Sequence, residues 1–186
     1  VEPYERDIPA EDIDYSFDEA GPTIFFAEEN GKGASTDAMP FFHDQDRSSL
    51  RRHYVEAWRK HRAGTPLEPL EHQLVTVIEQ HPEYHPLVER DPQALGRDYT
   101  PESGQSNPFL HLGLHLAIRE QVATDRPAGI AAVHRDLSRS LGDAHAAEHR
   151  MLEKLGEALW LSQRTGRPPD EAAYLESLRQ LIGGRR

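Results

Sequence analysis

Three pairs of histidines share one spacing in this sequence: His81 and His85, His111 and His115, His145 and His149. Side chains four apart on a helix lie on one face, with β-carbons roughly 5–6 Å apart, so two imidazoles at that spacing can converge on one ion. The chain has eleven histidines and no cysteine. Without thiols, disulfide frameworks, thiolate zinc sites, iron–sulfur clusters and thiol catalysis are excluded, and imidazole and carboxylate remain as metal ligands.

Whether the pairs do chemistry depends on which way they face. At about 100° per residue, Leu114, Ile118 and Val122 fall on the side of His111, and Leu152, Gly156 and Leu159 fall close to His145. Both pairs therefore point with apolar stripes into an interior. Pro82 interrupts the His81–His85 pair, which reads as a turn at a helix end. Each buried neutral imidazole has one donor and one acceptor to satisfy, so four in a core need partners. A shared ion satisfies several at once; hydrogen bonding within an ordinary core is the competing reading.

Carboxylates lie near the pairs. Glu148 is one turn from His145, Glu153 is four residues after His149, Glu157 continues that edge, and Glu120 faces away from His111. Histidine–carboxylate sites in bundles bind iron, manganese or zinc. The Glu-x-x-His motif of ferritin-like di-iron proteins is absent, which counts against a ferroxidase. A histidine-rich site of hemerythrin or DinB type remains as an architectural analogy. There is no Gly-rich phosphate loop and no Ser-centred nucleophile elbow.

The elements that must position these residues are helices. Leu50, Tyr54, Ala57, Trp58 and His61 recur at three and four in a helix ending near Gly64, and Leu67, Leu70, Leu74, Val77, Ile78 and His81 form a second, stopped by Pro82. His81 to Ser106 reads as a long loop with a short helix near Pro86 to Glu89. Asn107 and Pro108 open a third helix running to about Thr124. A fourth spans Pro127 to Gly142, the longest runs from Asp143 to Gly166, and a last follows Pro169 and Asp170. The expected fold is an all-α bundle of about six helices with an acidic, mostly irregular N-terminal arm.

Charge divides the chain in the same way. Of a net −11, residues 1–38 hold eleven acidic side chains against Arg6 and Lys32, so the arm carries −9 and residues 39–186 are nearly neutral. An acidic arm repels phosphate backbones, which argues against a nucleic-acid partner. The arm reads as a disordered leader or an addition upstream of Met39, or else as a segment whose aromatics fold onto a protein partner. Arg47, Arg51, Arg52, Arg59, Lys60 and Arg62 make the first helix basic, which suits a solvated face or a docking strip for that arm. No apolar run is long enough to cross a bilayer and no secretory signal opens the chain, so the expected location is cytoplasmic.

The strings Trp58-Arg59-Lys60-His61-Arg62, His81-Pro82-Glu83-Tyr84-His85, Asn107-Pro108-Phe109-Leu110-His111, Leu116-Ala117-Ile118-Arg119-Glu120-Gln121 and Leu155-Gly156-Glu157 carry a resemblance. Over about residues 39–183 the chain resembles an uncharacterised proteobacterial family of small helical proteins labelled as a domain of unknown function. The resemblance implies a compact helical architecture and a bacterial origin, and it transfers no activity. It also implies that the histidines at 81, 85, 111, 115, 145 and 149 belong to the family's motifs.

The leading expectation is a metal-binding bundle, either a hydrolytic or an oxygen-activating metalloenzyme or a protein that only binds the ion. His111, His115, His145 and His149 are the first-choice ligands, completed or flanked by His81, His85 and Glu148, for a divalent iron, zinc or manganese ion. The alternative is a non-catalytic adaptor, with structural histidines and a partner on the arm. Self-association is left open.

Overall fold

A computed structural model of the chain describes residues 47–90 and 107–183. The acidic arm, the boundary at residue 39 and most of the expected long loop lie outside the described residues. Within them are seven α-helices: α1 (Arg47–Arg62), α2 (Pro69–Glu79), α3 (His85–Arg90), α4 (Pro108–Thr124), α5 (Ile130–Leu141), α6 (Ala144–Thr165) and α7 (Glu171–Gly183). A single 3₁₀ turn, Pro82–Tyr84, joins α2 to α3.

Caps written in the sequence set most of the boundaries. The Asn107 side chain accepts from the backbone N–H groups of Phe109 and Leu110 at 3.1 and 3.2 Å, satisfying donors that the first turn of α4 leaves without carbonyls. Asp143 accepts from the N–H of His145 at 2.9 Å and starts α6, while Gly142 and Gly166, both left-handed, end α5 and α6. α5 begins at Ile130 rather than at the expected Pro127. The Asp125 carboxylate accepts from the N–H groups of Gly129 and Ala131, both at 3.0 Å, and holds the intervening residues in a turn.

α4 runs between two cores. Its Phe109, Leu112 and Leu116 pack with Tyr54, Ala57, Trp58, Leu74, Val77, Ile78 and Val88 of α1–α3. Its Leu114 and Ile118 pack with Ile130, Val133, Leu137, Met151, Leu155, Tyr174 and Leu178 of α5–α7. A helix apolar on two sides has to be central, and what remains of its circumference carries His111, His115 and Arg119 at successive steps of four. Deeper in the second core, the buried Tyr174 hydroxyl donates to Gln121 Oε1 at 2.9 Å and ties α7 to α4.

Several of the basic residues of α1 are paired or buried. Arg59 pairs with Glu56, Lys60 with Glu71 and Arg62 with Glu89, while the Arg51 guanidinium is buried over the Phe109 ring. Among the described residues no helix is long and apolar enough to cross a membrane.

Candidate metal centre

Where the end of α2, the middle of α4 and the start of α6 meet, five imidazoles converge. The ring centroids of His81, His111, His115, His145 and His149 lie 4.5–5.6 Å apart in nine of their ten pairings. Four of them, His81, His115, His145 and His149, each offer a ring nitrogen within 4.8 Å of every other. The fifth, His111, sets its Nε2 3.1 Å from that of His81, and His149 sets its Nε2 3.0 Å from that of His145.

The rings are held from behind. His115, wholly buried, donates from Nδ1 to Glu148 Oε2 at 2.8 Å, which leaves its Nε2 as a lone pair aimed among the other imidazoles. Its neighbour His145 stacks nearly parallel to it and presents Nδ1 to the same carboxylate oxygen at 3.8 Å. Arg119 holds Glu148 in turn, with Nε 3.0 Å from Oε1 and Nη2 2.9 Å from Oε2, and its Nη2 also donates to Gln80 Oε1. Arg119, Glu148 and the His115 imidazole thus make one hydrogen-bonded relay joining α2, α4 and α6.

His81 is fixed by the way α2 ends. The backbone N–H of His81 tightens onto the Ile78 carbonyl at 3.0 Å, so the Val77 carbonyl, which would have received it in a continued helix, is left over. His81 Nδ1 donates to that carbonyl at 2.7 Å, and its Nε2 then faces the cage. Pro82 has no N–H to offer Ile78, and the His85 Nε2 donates to the Ile78 carbonyl at 3.0 Å in its place. The His85 ring packs on Trp58 with centroids 4.5 Å apart. His85 is therefore brought to the end of α2 and not into the cage.

Electrostatics favour lone pairs over charge here. Burial, reinforced by the neighbouring histidines, takes His111 down to about 3. Burial takes His115 down to about 4 against the opposing pull of Glu148. His81 and His149 are lowered as well, chiefly by burial. Glu148 goes the other way from a lone buried carboxyl. Burial would raise it, but the hydrogen bonds from His115 and Arg119 and the Arg119 charge bring it to about 2. Two buried ring nitrogens, His115 Nε2 and His145 Nδ1, have no hydrogen-bond partner.

Over residues 46–180 the chain matches the family DUF1841, described as a domain of unknown function. The chain belongs to that family. No curated protein and no solved structure gives a match. Within this DUF1841 domain the structure brings together His81, His111, His115, His145, His149 and Glu148 of the residues expected from sequence, and leaves out His85. Glu153 and Glu157 pair with Arg150 and Lys154 along the outside of α6. Arg119 escaped the sequence reading, although it continues the His111, His115 spacing by one more step of four.

The segment His145-Ala146-Ala147-Glu148-His149 has the H-x-x-E-H form in which a glutamate between two ligating histidines serves zinc peptidases as general base. In this DUF1841 domain that glutamate is engaged by His115 and Arg119.

Proposed function

We propose that this DUF1841 domain binds one transition-metal ion through His81, His111, His115, His145 and His149. Glu148 and Arg119 orient those ligands from outside. A single observation carries the proposal: His115 Nε2 is buried among four other imidazoles, its sister nitrogen is committed to Glu148, and no hydrogen-bond partner reaches it. Leaving such an acceptor unsatisfied costs about 1–3 kcal/mol, and coordination removes that cost. The adaptor alternative, in which the histidines merely pack, offers His115 Nε2 nothing in exchange for its burial.

An all-imidazole donor set suits iron, zinc, copper or nickel better than manganese, which prefers oxygen. Of the two catalytic classes, hydrolysis with Glu148 as base is disfavoured, because both oxygens of that carboxylate are engaged by Arg119 and His115, whose hydrogen bonds make it a weak base. Oxygen activation asks for an open coordination position and a redox-active ion such as iron or copper. The test is elemental analysis of protein purified without a polyhistidine tag, with about one equivalent of metal expected per chain. Metal-free protein whose melting temperature is unmoved by iron, zinc, copper, nickel and manganese in turn would sink the proposal, since an ion that binds the native state must stabilise it.

A further inference from the structure

Imidazole is a neutral ligand, and the surroundings of the cage keep it so. His81 commits its Nδ1–H to the Val77 carbonyl and His115 commits its own to Glu148, so both rings meet the cage with an Nε2 lone pair and no charge. His111, His145 and His149 add three more rings, with the Nε2 of His111 3.1 Å from that of His81 and the Nε2 of His149 3.0 Å from that of His145. Five such donors share the charge of an ion without cancelling any of it.

The charged groups around the rings do little to make up the difference. Glu148 and Glu83 are carboxylates whose charge reaches the rings, and Arg119 is a cation that does the same. The Arg119 guanidinium grips Glu148 at both oxygens, Nε 3.0 Å from Oε1 and Nη2 2.9 Å from Oε2, and this fork cancels the carboxylate's charge. Glu83 is exposed, so water screens it.

An ion in this space therefore keeps nearly its whole positive charge where water is scarce. His115 is fully buried, His81 nearly so, and the other three rings are half-buried. The cost of holding a charge away from water grows with its square, so one more unit on a divalent ion roughly doubles that cost. Anionic ligands ordinarily offset it, and exchanging thiolates for imidazoles at an iron centre raises the reduction potential accordingly. Among the described residues the cage has no such offset.

We infer that the cage selects for charge state as well as for element: it holds iron as Fe²⁺ and resists loss of the electron that would make Fe³⁺. The inference rests on the metal-binding proposal above, and it weighs against the oxygen-activating class, in which the ion must give electrons to dioxygen. Arg119 and Glu148 then act on the potential with opposite signs. Neutralising the carboxylate leaves the guanidinium charge behind the rings and weakens the pull on His115 Nδ1–H; neutralising the guanidinium leaves the carboxylate uncompensated.

Untagged protein is loaded with Fe²⁺ in the absence of oxygen and, separately, with Zn²⁺, and metal content is measured first. The iron protein is then poised with redox mediators while electron paramagnetic resonance reads the ferric ion. Its midpoint should lie above that of the iron–EDTA complex, whose carboxylates favour Fe³⁺, and in air the protein should still be ferrous when that complex has turned ferric. Glu148→Gln should raise the midpoint and Arg119→Gln should lower it, whereas a merely structural role would loosen the ligands in both and move it one way. His72→Gln, on the exposed side of α2, should match the wild type. One iron per chain with a midpoint at or below that of iron–EDTA, or shifts of the same sign in both variants, overturns the charge-state selectivity and leaves metal binding standing. Uptake of zinc but not iron does the same, and protein that takes up neither ion overturns both.

Discussion

The two cores flanking α4 reach the histidine cage by different means. The α4–α7 side delivers His145 and His149 from the first turns of a long, doubly capped helix, so their direction follows from helical geometry. The α1–α3 side delivers His81 alone, from a helix end, aimed by a hydrogen bond to a carbonyl left over where α2 stops. One side is anchored by regular structure, the other by the way structure terminates. The α1–α3 side is also built from shorter pieces, among them a six-residue α3. An ion in the cage would therefore add little to the architecture of α4–α7 and much to the attachment of α1–α3.

The sharpest way to break this comparison is to empty each core in turn. Met151→Ala, at a fully buried position on α6, should cost about 2–5 kcal/mol in urea unfolding and lower protection from amide exchange across the whole domain. Ile78→Ala, equally buried on α2, should cost a similar amount yet raise exchange mainly in α1–α3, leaving α5–α7 protected. Uniform loss of protection in both variants would mean that the two cores unfold as one unit.

Metal addition probes the junction directly. At a free concentration a hundredfold above the dissociation constant, a bound ion stabilises the native state by about 2.7 kcal/mol. Amide protection gained on loading should be greatest in α2 and the Pro82–Tyr84 turn, because His81 is the sole ligand proposed from that side. Equal gains in α7, which supplies no ligand, would contradict the asymmetry. Removal with a chelator should reverse the pattern.

Next in size comes the relay behind the rings. Glu148→Gln keeps the shape but loses the charge that Arg119 binds and weakens acceptance from His115 Nδ1–H. Loss of such a supporting group lowers metal affinity about 10–100-fold. Arg119→Gln should act in the same direction more weakly, since His115 keeps its carboxylate partner. Affinity unchanged in both would leave Glu148 as a purely structural ion-pair partner, and the orientation of His115 would need another cause.

What the sequence disclosed and what it hid follow the same division. Helix-internal features were legible: the Asn107 and Asp143 caps, the short helix after Pro86, and the convergence of His111, His115, His145 and His149, because periodicity and capping act within a few residues. The start of α5 was misplaced because Pro127 resembles a first-turn proline, whereas the Asp125 side chain captures the backbone N–H groups that follow. Arg119 was missed as a site residue because its partner Glu148 is distant in sequence, and no local pattern pairs them. The central position of His81 was undervalued for a related reason. A proline breaks the spacing rule there, and only the count of unpaired carbonyls at the end of α2 says where the ring must turn.

The smallest effect is the most discriminating, because it separates two histidines that the spacing treats alike. His81 and His85 are four apart and both serve carbonyls at the end of α2, Val77 for the first and Ile78 for the second. They differ in what their second nitrogen meets: His81 Nε2 faces His111 Nε2 at 3.1 Å, whereas the His85 ring lies against Trp58. His85→Gln should therefore cost about 1 kcal/mol, the worth of one hydrogen bond and some ring packing, and leave metal content at the wild-type value. In metal-free protein His81→Gln should cost a comparable amount, since a glutamine amide can still donate to the Val77 carbonyl. On loading, the two variants should part: His85→Gln gains the full thermal shift and His81→Gln only a fraction of it. A His85 variant that loses its metal, or a His81 variant that keeps both metal and shift, would mean that helical spacing, rather than the unpaired carbonyls of α2, decides which imidazoles enter the cage.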